Sequence, residues 1–133
     1  MPLSTEDRLA IHELVALHGH LMDDGEFGRL GELFTADVVY DLSAFGRGEL
    51  HGPEAITAAS LALGDANPLG HHVTNVCVTE DPDGTVRVRS KGIGVHADGR
   101  AGSVVYRDVV RREPAGWRIA HRAVVPRRTP LQP

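Results

Sequence analysis

At His71 the periodicity of the chain changes, and that change limits the fold more than any other feature. Upstream, apolar residues recur at helical spacing. Downstream they alternate as strand residues do, with breaks at Asp81-Pro82-Asp83-Gly84, Ala97-Asp98-Gly99-Arg100 and Glu113-Pro114-Ala115-Gly116. Each break has the composition of a tight turn. The segments between them, His71–Thr79, Thr85–His96, Ala101–Arg112 and Trp117–Val125, therefore read as an antiparallel meander.

The upstream half reads as helices around one strand. Ser4 or Thr5 before Glu6-Asp7 supplies a hydroxyl cap and first-turn acids. Ile11, Leu14, Val15, His18, Leu21 and Met22 then share a face, predicting a helix from about Thr5 to Asp23 that stops at Asp24-Gly25. A short helix over Phe27 to about Leu33, a strand over Asp37–Leu42 and a loop over Ser43–Gly52 follow. Pro53 opens a third helix, Glu54 to about Leu63, ended by Gly64-Asp65-Ala66-Asn67-Pro68. Helices followed by strands predict an α+β fold: a cone-shaped, curved, mixed or antiparallel sheet, a half-barrel wrapped around three N-terminal helices and enclosing a pocket. Val86 and Val88 share one strand parity and Ile93 and Val95 the other, so a bulge is expected at Gly92–Gly94. The 133 residues make one domain, with its core over about 5–125 and an irregular proline-rich tail over 126–133.

Composition removes several classes of function. Eighteen acids against 14 bases, a net charge of −4, leave no basic footprint for nucleic acid. No apolar run approaches the length a membrane span needs, and Met1–Asp7 lacks the basic head and apolar stretch of a secretory leader. The lone cysteine, Cys77, fits a small core residue in a reducing compartment, so a cytoplasmic protein is expected. There is no Gly-x-Ser-x-Gly elbow and no phosphate loop, and Gly92-Ile93-Gly94 is followed by no helix. His12, His18 and His20 are offset by two, six and eight residues and do not build one helical metal face, so neither a metal nor another cofactor is expected.

The residues left for chemistry are few. Of His71 and His72, only one can enter a pocket, because consecutive strand residues face opposite sides. His72 is taken as the inward one, sharing its parity with Val76 and Val78. Asp23 sits where the helix dipole disfavours an acid, and a hydrogen bond to that histidine would account for it. Tyr40, Tyr106 and His96 are the other polar strand residues able to face a cavity. His18 reads as a core histidine, and Arg107-Asp108 as an outer-face ion pair.

In order and spacing, Leu21-Met22-Asp23-Asp24-Gly25-Glu26-Phe27, Leu33-Phe34-Thr35-Ala36-Asp37-Val38, Gly52-Pro53-Glu54-Ala55-Ile56, His71-His72-Val73-Thr74-Asn75 and Tyr106-Arg107-Asp108 with Gly116-Trp117-Arg118-Ile119 resemble a known family. It is the SnoaL-like, scytalone dehydratase-like branch of the nuclear transport factor 2-like superfamily. The resemblance spans about Thr5 to Arg122. It implies a catalytic set of His72, Asp23 and His96, with Tyr40, Tyr106, His18 and Phe45 holding the substrate. Met22, Val104 and Tyr106 stand where that family carries tyrosine, serine and asparagine, so scytalone is not the expected substrate. The implied activity is a cofactor-free dehydratase, isomerase or cyclase acting on a small apolar carbonyl compound of polyketide-like or steroid-like type, in a homodimer. A ligand-binding or dimerisation module of the same fold, and a β-subunit-like partner of an iron oxygenase, are the alternatives.

Overall fold

The computed structural model describes residues 2–132. Its first helix, α1, runs Thr5–Asp23. Ser4 caps it through a reciprocal pair: its Oγ accepts the Asp7 N–H at 3.0 Å and its own N–H donates to Asp7 Oδ2 at 3.0 Å. Asp7 also receives Arg112 Nη2 at 2.7 Å and Trp117 Nε1 at 3.2 Å, fastening the helix start to the sheet. The buried face of α1 is Ile11, Leu14, Val15, His18, Gly19 and Leu21. The short second helix expected at Phe27–Leu33 is instead a 3-10 run over Phe27–Glu32. α2 spans Pro53–Leu63 and buries Ile56 and Ser60.

Six strands form one curved, open sheet: β1 (Phe34–Asp41), β2 (Glu49–His51), β3 (Gly70–Glu80), β4 (Val86–Val95), β5 (Ala101–Glu113) and β6 (Gly116–Arg127), in the order β2-β1-β6-β5-β4-β3. β1 lies parallel to β6 and every other pairing is antiparallel, so the sheet is mixed and the meander occupies β3 to β6. β1 starts three residues before the expected Asp37, and β2 forms within what reads as a glycine loop. Pro126 and Arg127 prolong β6 into the expected tail. Ile11 and Val15 of α1 meet Leu33, Val38, Ile56 and Ile119 in a single core cluster.

The bulge is not at Gly92–Gly94. The β4 register is unbroken, with Val86, Val88, Ser90 and Gly92 buried and Ile93 and Val95 on the outer face. Gly92 is needed for another reason, since a Cβ there would collide with the Tyr106 ring. The register slips in β3, between Thr74 and Cys77, where Asn75 takes a positive φ of 55°. That slip reverses the parity of the strand. Val76 and Val78 pack toward the core, as does Val73 on the other side of the bulge.

Gly19 sets how close α1 approaches β3. A Cβ at this position would strike the His71 carbonyl oxygen, which is backbone and cannot swing aside. Gly19→Ala is therefore expected to destabilise the fold by about 1–3 kcal/mol, as overpacking does. Gly31→Ala, at a position with open space, should stay within about 0.5 kcal/mol of the parent. Urea unfolding of the two variants checks this, and equal midpoints would remove the close-approach argument.

Candidate active site

Asp23 closes α1 and meets the start of β3. Its two carboxylate oxygens accept the His71 backbone N–H at 3.1 and 3.0 Å, and its Oδ1 lies 2.6 Å from His71 Nδ1. An ionised carboxylate can only accept, so Nδ1 carries the proton and donates it, leaving Nε2 as the basic nitrogen. The two side chains are 22% and 23% exposed, sheltered yet reachable. Asp23 is thus held at the disfavoured end of its helix by a backbone donor and an imidazole donor from β3.

The inward histidine is His71, not His72. His72 is exposed on the outer face and its ring folds back over Gly70. Val76 and Val78 do point inward, but the bulge at Asn75 separates their parity from that of His71 and Val73. His96 lines the same cavity from just beyond β4, without a hydrogen bond to Asp23 or His71. Its backbone N–H closes a turn on Arg100 O at 2.9 Å.

The cavity measures about 660 Å³, within the range of small-molecule sites. Asp23, His71, Tyr40 and Tyr106 converge on it, while Leu42, Leu50, Ile56, Leu63, Val104 and Val124 supply apolar wall. Phe45 lines it too, from a short 3-10 turn after β1. His18 lies behind that lining, 1% exposed, with Nε2 3.4 Å from the Tyr40 hydroxyl. Its ring centroid is 5.8 Å from those of His71 and Tyr106.

Sequence reasoning missed the deepest pair. Arg122 and Asp108 have no exposed side-chain surface and form two parallel bonds, Nε to Oδ1 and Nη2 to Oδ2, each 2.8 Å. The Arg122 guanidinium carbon lies 4.2 Å from the Tyr106 ring centroid. Only Arg107 of the Arg107-Asp108 dipeptide faces outward. Parity held the signal: if Tyr106 enters the cavity, Asp108 must share its face.

These groups set one another's protonation. Burial, with Arg122 and His71 adding to it, holds the His18 imidazole well below its ordinary value near 6.5, so His18 is neutral. Burial pushes the Tyr40 and Tyr106 phenols up, keeping both as O–H donors. Burial alone would lower the Arg122 value, but the Asp108 carboxylate raises it.

The neutral His18 makes stability depend on pH. Below about pH 6.5 the unfolded chain takes up a proton at this position that the folded chain refuses, so stability falls as pH falls. The expected slope is about 1.4 kcal/mol per pH unit for the one proton, over the interval between the depressed folded value and 6.5. Denaturant midpoints measured from pH 7 to 5 should drop less steeply in His18→Phe than in the parent. Parallel profiles would contradict the assignment.

One trio could hold a cation elsewhere. Asp41, Glu49 and His121 bring one donor atom each to within 4.8 Å of one another. Asp41 alternates with Tyr40 and His121 with Arg122, so the trio lies on the outer face of the sheet, across from the cavity.

Comparison with known proteins agrees with this architecture. The family described as a SnoaL-like domain matches residues 4–123. No curated protein sequence matches the chain significantly. A solved structure from Novosphingobium aromaticivorans, described as a candidate aromatic ring hydroxylase, is 31% identical over 93% of this chain and 91% of its own, with a TM-score of 0.73. An NTF2-like protein with a cystatin-like fold, also from N. aromaticivorans, is 32% identical over 91% of this chain and 82% of its own, at a TM-score of 0.73. Aln2 from a Streptomyces species is 26% identical over 95% of this chain and 94% of its own, at a TM-score of 0.75.

Proposed function

The chain belongs to the SnoaL-like family of the NTF2-like superfamily, and on that basis we propose that it is a lyase or isomerase acting by His/Asp acid–base chemistry on a ring-bearing carbonyl compound. One observation carries this reading: a histidine whose Nδ1 is committed to a carboxylate and whose Nε2 has no hydrogen-bond partner among the described residues lines a largely apolar cavity. The likeness to a candidate aromatic ring hydroxylase supports a cyclic ligand.

The chemistry follows from the positions. His71 Nε2 takes a proton from the carbon α to the carbonyl, and the C–H electron pair moves into the enolate. Asp23 keeps the ring oriented and stabilises the imidazolium. Tyr40 or Tyr106 donates its hydroxyl to the developing oxyanion, with the buried Arg122 cation behind the Tyr106 ring. When the substrate carries a β-hydroxyl, the enolate expels it as the C–O bond breaks. The imidazolium returns its proton to the departing oxygen, giving water and a conjugated enone. When the substrate instead carries a β,γ double bond, the imidazolium returns its proton to the γ-carbon of the dienolate, which moves the double bond into conjugation with the carbonyl. His71 thus takes the role that the dehydratase resemblance assigns to a strand histidine.

The reading includes a homodimer formed through the outer sheet face, supported by Ile93 and Val95, which are 40% and 36% exposed there. It includes a reducing, cytoplasmic setting, supported by Cys77, which is unpaired and, contrary to the core position expected of it, exposed because the bulge at Asn75 puts it on the opposite face from Val76 and Val78. No helix among the described residues is long and apolar enough to cross a membrane. The test is turnover of bicyclic β-hydroxy ketones, followed by the rise of enone absorbance. Turnover that requires His71 and Asp23 supports the proposal. Binding of such ketones with no turnover would favour a ligand-binding module instead.

A further inference from the structure

The mouth of the cavity differs in character from its floor. Arg47 lines it from the loop between Leu42 and β2. That loop is fixed by its own hydrogen bonds. The N–H groups of Phe45 and Arg47 donate to Leu42 O at 2.9 and 3.2 Å, that of Leu42 to Gly48 O at 2.8 Å, and that of Ser43 to Asp41 Oδ1 at 2.8 Å. Gly46 and Gly48, at φ of 74° and 71°, flank Arg47 and allow the tight reversal.

Arg47 is the arginine of the cavity lining, and its guanidinium, like those of Arg8, Arg89, Arg107, Arg118 and Arg127, has no carboxylate partner among the described residues, so it is free to meet a ligand. A second guanidinium approaches the same loop. Arg128, also without a carboxylate partner among the described residues, lies 5.7 Å from the centroid of the Phe45 ring in the same loop. Asp24 is the acid of the lining apart from Asp23, and His96 is its other titratable side chain besides His71 and the two tyrosines.

We propose that Arg47 is the recognition site for a carboxylate carried by the substrate. The ligand then spans the cavity with its reacting carbonyl end at His71, its apolar body against Leu42, Leu50 and Val104, and its anionic group at the mouth. This rests on the acid–base reading of the same cavity. Arginine suits the task because its planar fork matches two carboxylate oxygens and stays charged at every working pH. In a chain of net charge −4, a cation at the mouth also offsets the repulsion an arriving anion meets.

Two probes of one shape test it: 2-naphthoate, and its methyl ester, which lacks the charge. Calorimetric titration of the parent should show the carboxylate bound about tenfold more tightly than the ester, a difference of about 1.4 kcal/mol. Arg47→Gln should abolish that preference and leave ester affinity unchanged, Arg47→Lys should restore part of it, and added salt should weaken only the carboxylate. If both probes bind and Arg47→Gln holds naphthoate as tightly as the parent does, the carboxylate sits elsewhere and the proposal is overturned while the cavity reading stands. If neither probe binds the parent, the cavity reading and this proposal fail together.

Discussion

Replacing Arg122 by methionine is expected to cost this fold about 3–5 kcal/mol, the largest stability effect of any single substitution considered. The cause is the carboxylate left behind. Asp108 is fully buried, and its two bonds to Arg122 are its partners in the core. Without them it must stay charged in a medium of low dielectric or take up a proton, and either is costly. A loss of that size is a large share of the roughly 5–15 kcal/mol that holds a domain together. Removing both charges should behave differently. Arg122→Met with Asp108→Leu replaces an ion pair by apolar groups, which is often neutral or stabilising. Urea unfolding of parent, single and double variants separates the two cases. Equal loss in single and double variants would mean that packing of the Arg122 stem, or its contact with the Tyr106 ring, matters more than the orphaned charge.

The second large effect concerns adjacent histidines on β3. His71→Gln is expected to lower ketone turnover by about 10²–10⁴-fold, the range that a positioned general base supplies. Asp23→Asn should lose a comparable factor: the amide cannot stabilise an imidazolium as a carboxylate does, and its NH2 group allows the ring to adopt the wrong tautomer. His72→Gln should change turnover by less than twofold, because that ring lies on the outer face. Rates under saturating ketone, with circular dichroism to confirm folding, distinguish the three. A loss in His72→Gln equal to that in His71→Gln would contradict the parity the structure shows.

That parity marks where the sequence stopped being legible. α1 could be read to both ends, because its cap, its apolar stripe and its terminating glycine agree with one another. The meander was legible for a similar reason, since its turns carry Gly84, Gly99 and Gly116 at positive φ. Asp23 was legible as a residue in need of a partner. The identity of that partner was not. An alternation rule carries over from Val76 and Val78 to His72 only if no residue is inserted between them, and Asn75 inserts one. Asparagine tolerates the left-handed conformation better than most residues, so Asn75 was the available clue. Gly92 and Gly94 drew attention instead, yet the smallness of Gly92 serves its close contact with the Tyr106 ring, and a side-chain carbon at Gly94 would meet Pro68 at ordinary contact distance. Gly19 was a similar signal inside a helix, where a glycine has a cost and therefore marks a close approach. Asp108 and Arg122 escaped notice because charged strand residues usually face water. β2 escaped because three residues are too short to show a period.

The central claim is that Asp23 and His71 form a working acid–base pair on the floor of the cavity. It can be tested without the natural substrate. Incubate the protein with 2-tetralone in deuterium oxide and follow the loss of the α-proton resonances by NMR. Exchange is expected to be faster than in buffer alone, abolished in His71→Gln and Asp23→Asn and retained in His72→Gln. Exchange at the same rate in the parent and in His71→Gln would contradict it.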